Sequence, residues 1–330
     1  MRKRWYSLLL VCVAATLVLA GCGKSDAEYN IAISQIVEHP SLDATRDGFM
    51  AALKDAGIVD KENLKVDLNI AQGDPTNNLS IAQKIATEKY DLVLAIATDP
   101  ALAIAQNVKE MPVLFAAVTD PLSINIVSDL KKPGGNISGA ADTNPDAIRQ
   151  LMDFIAAHFP DIKKLGIVIN AGEENAVIMA KVAEEALAAH GITLVRASAS
   201  TTSEVKQAAE SLVGRADAIY IALDNTVVSA VDSIIQIANE NKMPFFSSDR
   251  DSVEAGAFAT VGFKYYDHGY QVGQMAVEIL KNGKNPGDME VTLPDKLDLI
   301  LNLKAAEAQG VTVTDEMKNE VKDKETNIIE

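Results

Sequence analysis

The chain has 330 residues, 48% of them hydrophobic, 23% charged and 5% aromatic. This is too apolar for a disordered chain and too charged for a polytopic membrane protein, and the length exceeds what one core usually holds, so two globular domains are expected. The net charge of −16 argues against nucleic acid as a partner, because phosphate binding needs a basic footprint.

The first residues read as an export signal. Arg2, Lys3 and Arg4 precede an apolar run, Leu8 to Ala20, whose 13 residues would reach only about 20 Å as a helix against a hydrocarbon core of about 30 Å. Leu19-Ala20-Gly21-Cys22 resembles a bacterial lipobox, which implies lipidation of Cys22 and removal of residues 1–21. The membrane would then be met through the lipid alone, outside the cytoplasm. Cys12 and Trp5 would leave with the signal. Cys22 would be the one remaining cysteine, so no disulfide and no thiolate metal site is expected.

After a tether of residues 22–28, apolar runs alternate with helical patterns. Asn30–Ser34, Leu64–Ile70, Asp91–Ala97, Pro112–Ala117 and a short Ile137–Ala140 read as strands, the last introduced by the turn Pro133-Gly134-Gly135-Asn136. Leu165–Ile169, Ile192–Ala197, Ala218–Leu223, Pro244–Phe246 and Ala257–Gly262 repeat the plan, and a helix follows over Tyr265–Leu280, closed by Asn282-Gly283. Strands alternating with helices predict an α/β fold with parallel sheets, in two Rossmann-like lobes. Asp91, Asp99, Met111 and Asp120 have counterparts in Asp217, Asp224, Met243 and Asp249, which suggests an internal duplication. Asp99-Pro100, Asp120-Pro121 and Asn144-Pro145 are read as helix caps before a first-turn proline, and Gly57 and Gly191 as helix ends. The charged last residues, including a tail of 321–330, are expected to fray.

Catalytic and cofactor signatures are missing: there is no Walker loop, dinucleotide glycine fingerprint, H-E-x-x-H helix or G-x-S-x-G elbow. No cofactor, no metal and no enzymatic activity are expected. His39, His158, His190 and His268 stand alone and are read as surface or helix-end residues. Short polar residues cluster instead at strand ends: Ser34, Gln35, Thr98, Thr119, Asp120, Asn175, Asp224, Asn225 and Asp249. In a cleft between two such lobes, free helix N-termini near Thr98 and Thr119 would hold a carboxylate, while Asp224 or Asp249 would pair with an ammonium. Such a site suits an amino acid. Sugar sites more often offer aromatic stacking faces.

Four stretches carry a family resemblance: Phe115-Ala116-Ala117-Val118-Thr119-Asp120-Pro121-Leu122, Lys132-Pro133-Gly134-Gly135-Asn136-Ile137-Ser138-Gly139, Asp224-Asn225-Thr226-Val227 and Tyr265-Tyr266-Asp267-His268-Gly269. From about Asn30 to Gly310 the chain resembles the substrate-binding lipoproteins of ABC transporters of the tryptophan/tyrosine-binding type. The resemblance implies a type I periplasmic-binding-protein architecture with three interlobe crossovers. The first lobe would comprise 29–141 and about 263–290, and the second 142–262 and about 291–320. It further implies a monomer that closes on an amino acid, aromatic or large aliphatic, and delivers it to an ABC permease with a cytoplasmic ATPase. A sugar or nucleoside ligand, or a sensory or adhesive surface role, are the alternatives. Two places depart from the family pattern. Asn170-Ala171-Gly172-Glu173-Glu174-Asn175-Ala176 stands where Asn-Pro-Gly-Glu-Ala-Asn-Ser is common, and Thr98-Asp99-Pro100-Ala101 where Thr-Pro-Ala-Ala is common; each adds an acid near the cleft.

Overall fold

The computed structural model describes residues 27–294 and 296–330. The signal and Cys22 lie outside the described residues. Strands β1 (Tyr29–Gln35), β2 (Leu64–Ile70), β3 (Leu92–Ile96), β4 (Val113–Val118) and β5 (Ile137–Ala141) form a parallel sheet in the order β2-β1-β3-β4-β5. Helices α1 (Pro40–Asp55), α2 (Pro75–Thr87) and α3 (Thr98–Asn107) connect the first four strands. The unbroken apolar runs of β3 and β4 are buried along their whole length, because helices cover both faces of the sheet. Alternate residues serve opposite cores: Leu92 and Leu94 pack with Phe49 and Val272, while Val93 and Ala95 pack with Ile104 and Phe115.

The second sheet contains β6 (Lys164–Ile169), β7 (Thr193–Ser198), β8 (Ala218–Ile221), β9 (Phe245–Ser247), β10 (Ala259–Gly262), β11 (Asp298–Asn302) and β12 (Ile328–Ile329). Its order is β12-β11-β10-β9-β8-β6-β7, parallel except where β10 meets β11. Connecting helices are α4 (Pro145–His158), α5 (Glu174–Ala189), α6 (Thr202–Glu210), α7 (Asn225–Val228), α8 (Val231–Asn241) and α9 (Arg250–Ala255). The first five strands of each sheet share one order, and the first aspartate pair does the same work in both. Asp91 accepts from the Asn30 amide at the start of β1 (2.7 Å), and Asp217 from the Lys163 and Lys164 amides at the start of β6 (2.9 and 2.8 Å). Shared topology and shared side-chain roles support the duplication.

The chain passes between the sheets three times, at 142–144, at 263–264 and between Thr292 and Asp298. After the second passage, α10 (Tyr265–Asn282) returns to the first lobe and packs along α1 at very short range. A Cβ on Gly269 would sit 1.9 Å from the Thr45 carbonyl oxygen, and one on Gly48 would sit 2.0 Å from that of Tyr266, so only glycine permits this approach. Val291 and Thr292 still belong to the first lobe, bonded to Leu130 and Gly139, so the third passage falls slightly later than the sequence suggested.

Some local expectations are corrected. Asn144 does cap α4, accepting from the Asp146 amide at 3.0 Å, and Gly57 and Gly191 follow helix ends with φ of 80° and 70°. Asp99, however, lies inside the first turn of α3, whose cap position is Ala97, and Asp120 starts a turn through the Leu122 and Ser123 amides rather than a helix. The tail does not fray. Helices α11 (Leu303–Ala308), α12 (Asp315–Glu320) and α13 (Lys324–Asn327) lead into β12, which pairs with β11; Met317 and Val321 are buried, and Arg250 donates to Asn327 Oδ1 (2.6 Å) and to the Thr326 carbonyl (2.8 Å). Charge density hid the few apolar residues that dock this segment.

Candidate ligand-binding cleft

The C-terminal ends of both sheets face a chamber of about 340 Å³, mouth included. Of the residues expected there, Thr98, Thr119, Asn175, Asp224, Asn225 and Asp249 line it. Ser34, Gln35 and Asp120 do not. Ser34 is wholly buried in β1, and Asp120 is spent on its turn. Gln35 is tied into its own lobe, donating to the Val37 carbonyl and Asp43 and accepting from Arg46. His39, Ser41, Asp142 and Tyr265 also line the chamber and were not anticipated as site residues. His39 and Ser41 come from the start of α1 and Tyr265 from the start of α10, away from any strand end, while Asp142 directly follows β5.

The first lobe offers backbone donors. Thr98 opens α3 behind Ala97, which has φ of 83° and no side chain able to cap, and His39 at the cap position of α1 makes no capping bond. The first-turn N–H groups of both helices therefore lack the usual side-chain partner, the condition under which helix starts hold anions. Ala117 on the chamber wall has φ of 55°, and its amide donates to Nε2 of buried His268 at 3.1 Å. His268 is thus a core residue, contrary to the surface expectation. His158 and His190 do sit at helix ends, each against a carboxylate, Glu320 and Asp153.

Acceptors dominate the second lobe. Asp224 caps α7 with Oδ1 on the Val227 amide (3.0 Å), while Oδ2 accepts from the Asn170 amide (2.6 Å). Beside it Glu173 accepts from the amides and side chains of both Asn225 and Thr226, at 2.7 to 2.8 Å. Burial and the Glu173 charge push the Asp224 carboxyl up to about 8 against the pull of its two backbone bonds. Asn175 Nδ2 donates to the Leu223 carbonyl (2.6 Å) and to Glu173 (3.3 Å), which fixes the amide orientation and leaves Oδ1 buried without a partner. Asp249, by contrast, is saturated: Ser41 Oγ and the Asp251 amide bond Oδ1, and the Ser252 amide and Oγ bond Oδ2. Asp142, at the first crossover, is pushed up to about 6 by burial although the Tyr265 hydroxyl donates to it at 3.2 Å. No lysine or arginine lines the chamber among the described residues.

Two contacts cross the cleft. Ser41 Oγ donates to Asp249 at 2.9 Å, and His39 Nε2 lies 3.4 Å from Asn225 Oδ1. The lobes are therefore closed on each other. The two added acids feel each other: burial and the charges of Glu173 and Glu174 push Asp99 up to about 6. Glu174 itself is exposed and points no charge into the chamber.

Two α/β lobes of like topology, three crossovers and a polar cleft at the strand ends define the type I periplasmic-binding-protein architecture, a scaffold for solute capture. The chain belongs to the ABC transporter substrate binding protein family, whose model matches residues 30–324. Membership assigns a substrate-binding role. The chain is 38% identical to a tyrosine-binding protein of Clostridioides difficile over 94% of both chains. Among solved structures it resembles an ABC domain from Streptococcus pneumoniae in complex with L-Trp, at 30% identity and a TM-score of 0.84 over 92% of this chain and 100% of that one. A ligand-free, open substrate-binding protein with adhesive properties from Clostridium difficile is 36% identical but has a TM-score of only 0.66, over 91% of this chain and 98% of that one. The better fit to the ligand-bound protein, against the order of identity, agrees with the closed cleft. Among the described residues no helix is long and apolar enough to cross a membrane.

Proposed function

We propose that this protein captures an aromatic amino acid outside the cytoplasm by closing its two lobes, and presents it to an ABC importer while held to the membrane through lipidated Cys22. The observation that carries the amino-acid reading is the split of the chamber into donors and acceptors. On one wall, the uncapped starts of α1 and α3 with the Thr98 and Thr119 hydroxyls suit an α-carboxylate. Opposite them, unpartnered Asn175 Oδ1 and Asp224, whose raised carboxyl an ammonium would draw into its charged form, suit an ammonium. Asp224 is the better ammonium partner, because Asp249 already accepts four hydrogen bonds and Asp224 only two. Relatives named for tyrosine binding and solved with L-Trp point the same way.

The test is thermal unfolding of refolded protein against amino acids, sugars and nucleosides. A ligand at a hundredfold excess over Kd adds about 2.7 kcal/mol, a rise of roughly 5–10 °C for a chain of this size. The expected outcome is a response to aromatic amino acids that disappears in Asp224→Ala and persists, weakened, in Asp249→Ala. A response to sugars or nucleosides alone would overturn the reading.

A further inference from the structure

A second hollow of about 330 Å³, mouth included, lies beside the chamber, with Asp142 and Leu223 forming part of both walls. The rest of the second wall is mostly apolar, with Ile148 and Leu151 from one face of α4, Met179 from α5, and Val261, Phe263 and Leu297 from around the crossovers. Apart from Asp142, no charged side chain lines it among the described residues. Such walls accept an uncharged, apolar body attached to a polar head in the neighbouring chamber.

One polar group on this wall has an open valence. Ser248 Oγ lies 2.6 Å from Oη of Tyr220, a wholly buried side chain with no other hydrogen-bond partner among the described residues. Burial keeps the phenol protonated, pushing it up to about 12. Its hydrogen has only Ser248 to go to, so Tyr220 donates and the Ser248 hydrogen is free to point into the hollow. That donor needs an acceptor. A phenolic oxygen supplies one; an indole N–H only donates, and a phenyl ring offers neither.

We propose that this hollow takes the ligand's aromatic side chain and that Ser248, oriented by Tyr220, selects a phenolic hydroxyl, so that tyrosine binds in preference to phenylalanine and tryptophan. The proposal rests on the amino-acid reading of the adjoining chamber. Titration calorimetry of the purified protein with the three amino acids tests it. Tyrosine is expected to bind about tenfold tighter than phenylalanine, a preference that Ser248→Ala reduces to within about threefold while phenylalanine affinity stays unchanged. Tyr220→Phe, which frees Ser248 to turn, is expected to reduce the preference in part. The phenylalanine value doubles as the control for folding. A tyrosine preference that survives Ser248→Ala would overturn the assignment, as would a wild-type preference for phenylalanine or tryptophan. Failure of all three to bind would overturn the amino-acid reading itself, and this proposal with it.

Discussion

Burial holds His268 neutral, far below its ordinary value at about 4, with Nε2 free to accept the Ala117 amide. Its ring therefore braces a backbone kink in the chamber wall from behind. A histidine whose folded pKa is depressed contributes stability that is complete above its unfolded value of about 6.5 and is lost as pH falls toward 4. His268→Gln keeps an acceptor without the titration. Urea unfolding at pH 7.5 and 4.5 is expected to show the wild type losing about 2–3 kcal/mol more than this variant on acidification. Equal losses would sink the assignment. Most of the site residues legible in the sequence share one trait: Thr98, Thr119, Asp224 and Asp249 lie within a few residues of the end of an apolar strand, so strand-end position predicts their place, and Asp142, directly after β5, obeys the same rule. His39, Ser41 and Tyr265 reach the chamber only through tertiary packing, which no local pattern records. Gln35 shows the reverse, a strand-end residue captured by Arg46 and Asp43 of its own lobe.

The α1–α10 pair is where element and site meet, since α1 carries His39 and Ser41 at its start and α10 carries Tyr265 and His268. Its glycines set the separation of the two axes. Gly269→Ala would force a methyl against the Thr45 backbone, which cannot yield as a side-chain tip would. The expected cost is about 3 kcal/mol or more in denaturant unfolding, with weaker ligand binding because α1 shifts; Gly283→Ala, whose site is open but has φ of 65°, should cost only about 1 kcal/mol. Long, continuously apolar strands such as β3 and β4 were legible element by element. The last two strands were not: β11 mixes Asp298 and Asn302 with three apolar residues, and β12 is two residues in a charged tail. Such strands are defined by the neighbour they join, and that neighbour lies far away in sequence.

In the closed molecule Asp224, Asp142 and Asp99 are all raised by burial. In an open form, water would return them toward ordinary carboxylate values. A raised carboxyl favours the closed form while it stays protonated and loses that effect as pH climbs through its pKa. His39, lowered by burial, opposes this only below its ordinary 6.5. Between pH 6.5 and 8.5 the ligand-free protein should therefore open progressively, chiefly through Asp224 at about 8. Small-angle scattering should show the radius of gyration rising across this window, with little change in Asp224→Asn; a wild-type radius independent of pH would refute the linkage. The three crossovers carry a further consequence, for the order in which the chain can assemble. Neither lobe is one continuous segment: α1 waits for α10, more than two hundred residues later, and β11 waits for the final strand. Contacts so distant make folding slow. A chain leaving the ribosome cannot complete the first lobe until Thr292 is made, nor the second until Ile329 is, and so it stays threadable for most of its synthesis.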